Sequence, residues 1–200
     1  PLQRAELENS IQVSRMNPGL LQSIREACDR RGISPTPLLL LASVADQRLA
    51  VCQKQIDWDF SEVQRIVIST SRFGVGQAEG SEKTPLGLHR IAEKIGDGLP
   101  AGTVFKCRQV IGTVEAEPDA AIAHRILWLE GLEPGRNQGG SVDTHDRYVY
   151  IHGVGDESSI GRPASRGCLH MAAVDLLPFY DRTPGGTLLW ITEASLGQAS

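Results

Sequence analysis

Beyond its first third, this chain meets turn-forming residues too often for long helices to run through it. Gly96-Asp97-Gly98, Glu117-Pro118-Asp119, Glu133-Pro134-Gly135 and Pro184-Gly185-Gly186 each break the backbone. Glycine does so by reaching left-handed conformations, proline by fixing φ and removing a donor. Between these signals lie short segments rich in β-branched and aromatic residues, which suit a pleated, half-buried surface. The spacing predicts strands over Leu38–Val44, Arg48–Gln53, Arg65–Ser69, Leu88–Ile95, Thr103–Val110, Arg125–Glu130, Arg147–His152 and Thr187–Thr192. Many short strands with frequent turns indicate a mainly β domain of α+β class, a β-sandwich or an open barrel. The longest apolar run, Leu38–Ala42, is strand-sized and far too short to span a bilayer.

Helices are expected in two places. Asn17 is a good N-cap, Pro18 fits the first helical position, and Gly32 sits where a C-terminal cap belongs. Leu20, Leu21, Ile24, Ala27 and Cys28 fall on one face of that segment. Pro35 and Pro37 then stop any helix and launch an extended chain. Ahead of it, residues 1–16 read as a weakly amphipathic helix or extension. The second helical segment is Ala172–Tyr180. The organisation expected is a helical N-terminal extension (1–36), one principal domain (37–194) and a tail (195–200).

The formal net charge of −4 argues against a nucleic-acid-binding surface and against a polybasic membrane anchor. The cysteines are Cys28, Cys52, Cys107 and Cys168. They form no C-x-x-C pair and no His-rich spacing that suggests zinc, so no metal is expected. If Cys168 is a free nucleophile, the other three permit at most one disulfide, and each reads more simply as a core thiol.

The chemistry concentrates between Arg147 and Met171, in RYVYIHGVGDESSIGRPASRGCLHM. A strand pattern delivers His152 and Gly153, a polar loop follows, and Ser165-Arg166-Gly167-Cys168 is expected to open a helix-like segment. There a thiol would feel the positive end of the macrodipole, with Arg162 and Arg166 adding positive charge; both favour thiolate. Gly167 allows a tight turn, so that its N–H and that of Cys168 can point at one oxyanion. His152 stands ready to take the thiol proton if the fold brings it within reach.

The pattern I-H-G, a Gly/Pro-containing loop, then S-x-G-C-L-x-M resembles the signature of the L,D-transpeptidase (YkuD) catalytic domain. Further motifs extend the resemblance over roughly Leu38 to Thr192. ASVADQRLAV resembles the D-x-x-x-Q-R-L-like start of the family domain. Ser69-Thr70 and a loop with four glycines that ends in Thr84-Pro85-Leu86-Gly87 resemble its V-S-T and T-P-x-G elements. Met171, Asp175, Phe179, Tyr180, Gly186, Thr187 and Ile191 match a helix and strand that follow the cysteine. The N-terminal third lies largely outside the resemblance and is expected to pack against the catalytic domain or lead into it.

By position, the resemblance implies that Cys168 is the acyl-accepting nucleophile and His152 the general base, with the Gly153 carbonyl orienting the imidazole. Gly167 and Cys168 would supply the oxyanion N–H groups, with Tyr148 or Tyr150 as a further candidate. Ser165, Arg166, His170 and Tyr150 would lie along the substrate, with Ser165 also bracing its loop. Many members carry His where this chain has Arg166, and Arg or Asn where it has His170. A His at 170 would hold a substrate carboxylate only as imidazolium. His89, His124 and His145 read as structural or exposed.

The implied substrates are peptidoglycan stem peptides as donor and acceptor, without metal or organic cofactor, in the periplasm or cell wall. A monomer is expected. Two alternatives stand beside this reading: a hydrolase on the same fold (an L,D-carboxypeptidase or amidase), and a catalytically silent wall-binding module.

Overall fold

Leu38–Ala42 is apolar at every position because both faces of its strand are covered. The computed structural model describes residues 14–197. Its elements are β1 (Ser14–Arg15), α1 (Pro18–Asp29), β2 (Leu38–Ser43), β3 (Arg48–Ile56), β4 (Asp59–Ser69) and β5 (Gly87–Ile95). They continue with β6 (Thr103–Lys106), β7 (Gln109–Thr113), β8 (Ala123–Gly131), β9 (Tyr150–Gly153), β10 (Leu169–Met171), α2 (Ala173–Arg182) and β11 (Leu188–Thr192). Leu40 and Ala42 face a core to which α2 contributes Leu176, Phe179 and Tyr180. Leu39 and Leu41 face the opposite core, where α1 contributes Ile24, Ala27 and Cys28. Alternate side chains of one strand point to opposite faces, so two covers make the whole run hydrophobic.

The strands form one sheet in the order β5-β11-β2-β3-β4-β10-β9-β8-β6-β7. Because β5 also pairs with β8, the path closes on itself and leaves only the β6–β7 hairpin and β1 outside the ring. The fold is thus mainly β, as the turn spacing indicates, and closure removes the edges an open sheet would expose. All ring strands contribute to the α2-side core: Leu40, Leu49, Ile68, Ile91, Leu127, Ile151, Met171 and Leu189 are among its members. Helix α1 begins as its sequence dictates: Asn17 Oδ1 accepts the Gly19 and Leu20 N–H groups at 2.9 and 3.2 Å, and Pro18 occupies the first turn. Gly32 adopts φ +63° just beyond the helix, while the Ile33 N–H returns to Cys28 O.

Four expectations need correction. Thr103–Val110 is two strands, not one: Cys107 (φ +49°) and Arg108 (φ +67°) make the tight turn of the β6–β7 hairpin without a glycine to mark it. Cys107 is therefore exposed, whereas Cys28 and Cys52 are the core thiols expected; all four cysteines are free. Arg147 and Tyr148 precede the strand, which starts at Tyr150; Tyr148 is left-handed at φ +55°. Finally, no helix opens at Ser165–Cys168. Leu169–Met171 is a strand, parallel to β9 and antiparallel to β4, and α2 starts only at Ala173. The vacancy between β9 and β4 needs a strand there, and burial of Leu169 and Met171 in the core secures it. Of the helix or extension read over residues 1–16, residues 1–13 lie outside those described, and Ser14–Arg15 pair with β4.

Candidate active site

Strand pairing brings the two histidines of the site side by side. Register places His170 of β10 beside His152 of β9 on one side and Ser69 of β4 on the other. The rings of His152 and His170 lie 4.8 Å apart. The turn carrying Cys168 is pinned from β4: Thr70 O accepts the Ala164 and Ser165 N–H groups at 2.9 and 3.0 Å, and the Arg72 N–H donates to Ser165 O. Thr70 is itself fixed by Gln47, whose Oε1 accepts the Thr70 N–H and whose Nε2 donates to Thr70 Oγ1, both at 2.8 Å. Thr84 Oγ1 accepts the Ser71 N–H and donates to Gly167 O at 3.1 Å. Sequence motifs more than a hundred residues apart thus converge beneath one turn. Gln47, Thr70 and Thr84 lie in the stretches that resemble the family, but nothing in the sequence discloses their mutual bonds.

Two glycines are demanded by geometry. Gly167 has φ +118°, where L side chains are strained, and a Cβ there would come within 3.3 Å of Lys83 O. At Gly153 a Cβ would meet His124 Cδ2 at 2.6 Å and Ala123 O at 2.8 Å. Ser165 is 1% exposed. Its Oγ donates to Cys168 O at 2.6 Å and accepts the Gly167 N–H at 3.2 Å, so the hydroxyl is spent within the turn.

His152 is buried, and its Nδ1 lies 2.8 Å from Gly153 O. A carbonyl only accepts, so Nδ1 carries the proton and Nε2 keeps its lone pair. Burial holds the imidazole down at about 4, so the ring is neutral at physiological pH. His170 is pushed down further, to about 3, by burial and by its neighbour His152; its buried Nδ1 has no partner. Burial therefore disfavours the imidazolium that a carboxylate contact at His170 would need.

Cys168 is half-buried. Its Sγ accepts the Tyr150 N–H at 3.4 Å and donates to Tyr148 O at 3.5 Å. Burial pushes the thiol up to about 11, against the pull of the Tyr150 N–H and the Arg147 charge. This corrects the expected resting thiolate. No helix N-terminus faces the sulfur, Arg166 Nη1 pairs with Glu82 Oε1 at 3.1 Å, and Arg162 is exposed. Tyr150 reaches the sulfur through its backbone. Its ring is buried, edge-on to Trp128, and its hydroxyl accepts from Arg108 Nη1 at 3.3 Å. Tyr148 is half exposed and lies against Trp128.

Two cavities meet at the thiol. The larger, about 590 Å³, includes Arg72, Ile122, His152, Val154, Arg166 and His170 with Cys168 in its wall. The smaller, about 230 Å³, is bounded by Glu79, Glu82, Asp146, Arg147 and Tyr148, again with Arg166 and Cys168. The remaining histidines serve the scaffold: His89 bridges Gly87 O and Thr144 Oγ1, His124 Nδ1 accepts the Gly102 N–H, and His145 stacks on Trp128. Glu157 Oε1 accepts the Ala173 N–H at 2.6 Å and so caps α2. Among the described residues no group of three or more His, Cys, Asp or Glu is placed to hold a metal ion, and no helix is long and apolar enough to cross a membrane.

The family model of the L,D-transpeptidase catalytic domain (YkuD) matches residues 37–191. No curated protein matches the chain. Among solved structures, Bd1075 of Bdellovibrio bacteriovorus superposes with a TM-score of 0.52 at 15% identity, covering 80% of this chain and 51% of its own. The helical cell shape determining protein Pgp2 of Campylobacter jejuni gives a TM-score of 0.52 at 18% identity, covering 87% of this chain and 55% of its own. The chain thus spans about half the length of these structures, and at such identity they speak for the fold alone. Fold, motif order and the match over residues 37–191 agree: the chain belongs to the L,D-transpeptidase catalytic domain family.

Proposed function

We propose that this domain is a cysteine-dependent L,D-transpeptidase acting on peptidoglycan stem peptides outside the cytoplasm. The observation that carries the reading is a neutral imidazole, its free nitrogen set by the Gly153 carbonyl, that lines one cavity with the Cys168 thiol. In the first step Cys168 Sγ attacks the carbonyl of the L-centre of the third stem residue. Its proton passes to His152 Nε2, and the departing amine of the terminal D-Ala takes that proton as the C–N bond breaks. In the second step an acceptor amine attacks the thioester and loses a proton to His152, which returns it to sulfur.

The neutral resting pair suits this sequence. A free nitrogen is available throughout the neutral range, and the thiol ionises only as the proton is removed. The Cys168 N–H is the nearer candidate for the oxyanion. The Gly167 N–H would have to exchange its long bond to Ser165 Oγ to join it. Arg166 and His170 line the larger cavity and would contact the donor stem, His170 as a neutral hydrogen-bonding group. Ser165 acts by holding the turn, and Tyr150 by its N–H to the sulfur.

Incubation with purified tetrapeptide muropeptides, with products identified by mass spectrometry, tests the proposal. Cross-linked dimers that disappear in Cys168→Ala support it. Stems shortened by one residue without dimers would make water the acceptor and the domain an L,D-carboxypeptidase. Unchanged muropeptides would support the silent wall-binding module.

A further inference from the structure

Arg147 had no role in the motif reading, yet it is the arginine built most deeply into the thiol's surroundings. Its Nη1 donates to Gly76 O and Gln77 O at 3.3 and 2.9 Å, and its Nη2 donates to Lys83 O at 2.7 Å. All three partners are backbone carbonyls of the loop between β4 and β5. Among the described residues no carboxylate forms an ion pair with it. Arg147 lines the smaller cavity together with Cys168. The next residue, Tyr148, holds a left-handed backbone and offers its carbonyl to the thiol.

The other charged and titratable groups facing Cys168 differ in kind. From the β4–β5 loop come Glu79 and Glu82, and Glu82 is answered by Arg166 of the cysteine's own turn. Asp146 and Tyr148 lie on the approach to β9, and Tyr150 and His152 on β9 itself. His170 lies on β10, and Arg72, Asp119 and Asp156 border the larger cavity. His152 and His170 are neutral, and burial keeps Tyr150 protonated. Arginine stays charged at any physiological pH.

We propose that Arg147 is a positioning residue for the nucleophile: its guanidinium, unpaired with any carboxylate and fixed by three loop carbonyls, stabilises the negative charge that develops on Cys168 Sγ during acyl transfer. Carbonyl bonds hold the cation in place without cancelling its charge, and the half-buried setting limits screening. The inference rests on the reading of Cys168 as nucleophile, but its test needs no stem peptide.

The experiment is alkylation of the whole protein by iodoacetamide, a neutral probe, with site-resolved rates from peptide mapping and exposed Cys107 as internal reference. Arg147→Met should slow Cys168 alkylation at fixed pH by about tenfold, as expected for a one-unit rise of the thiol, while Cys107 is unaffected. Arg147→Lys keeps the charge but loses the forked bonds, and should react near the wild-type rate. Arg147→Gln, whose amide still donates to the carbonyls, should behave like Arg147→Met and serves if that variant does not fold. Equal slowing by Lys and Met, or no slowing by either neutral variant, would overturn the proposal. So would failure of both neutral variants to fold, since Arg147 would then be scaffold. Failure to make cross-links, with the alkylation pattern intact, would instead count against the transpeptidase reading alone.

Discussion

Two regions of the molecule hold cysteines that burial makes almost equally reluctant to ionise. Beneath α1, Cys28 and Cys52 share one apolar core and are pushed up to about 11 and about 12. At the β9–β10 turn, Cys168 is pushed up to about 11. Intrinsic acidity therefore does not single out Cys168. The surroundings differ: Cys168 opens to two cavities, one of them shared with His152, and has two backbone contacts to its sulfur. Cys28 and Cys52 instead pack within an apolar core, and neither lines a cavity shared with a histidine. On the proposed mechanism, reactivity is a matter of access and proton transfer, supplied at the moment of reaction rather than stored as a resting thiolate.

The most severe way to break the contrast is to remove the sulfur. Cys168→Ala should abolish acyl-enzyme formation, whereas Cys28→Ala should leave acylation intact and lower the melting temperature through the cavity it opens. Intact-protein mass spectrometry and thermal denaturation read the two effects. His152→Ala comes next. It should lose acylation by roughly 10²–10⁴-fold, the usual worth of base catalysis, while still folding; parallel loss of melting temperature would make His152 structural.

The pH profile sharpens the comparison further. With His152 held at about 4 and Cys168 at about 11, acylation should be flat through the neutral range and fall only as the imidazole protonates in acid. A rise through pH 6–8 would point to a thiolate–imidazolium pair instead. His170→Arg should leave the shape of that profile unchanged, because His170 is already neutral there.

A smaller effect concerns stability. His89, His152 and His170 have folded-state values of about 4, 4 and 3, below the unfolded value of 6.5. Below pH 6.5 the unfolded chain takes up protons that the folded chain refuses. Stability is therefore full above 6.5 and declines as pH falls toward 4. His170→Asn should soften that decline, read as melting temperature against pH. The smallest change expected is in α1, where Asn17→Ala removes a cap worth about 1 kcal/mol and should leave acylation untouched.

Much of this was legible because it is local. Asn17-Pro18 announces a helix start, β-branched runs announce strands, and I-H-G with S-x-G-C marks the site whatever the fold. What the sequence hid depends on pairing between distant segments. Leu169–Met171 is a strand because β9 and β4 leave room for one, not because its own residues demand it. The β6–β7 turn is made by Cys107-Arg108, which no turn signal marks. The thiolate argument met the same obstacle: it needed a helix at Cys168 and free charge on Arg166, and tertiary structure supplied a strand and Glu82. Arg147, which lines the smaller cavity beside Cys168, is held by carbonyls of a loop more than sixty residues earlier in the chain.

The most direct measurement is the site of acylation. The protein is incubated with a disaccharide-tetrapeptide, quenched in acid, digested and mapped. The account predicts a thioester adduct of the stem lacking its terminal D-Ala on the peptide containing Cys168, none on those containing Cys28, Cys52 or Cys107, and none in His152→Ala over the same time. An adduct on another cysteine, or donor turnover that persists in Cys168→Ala, would contradict it.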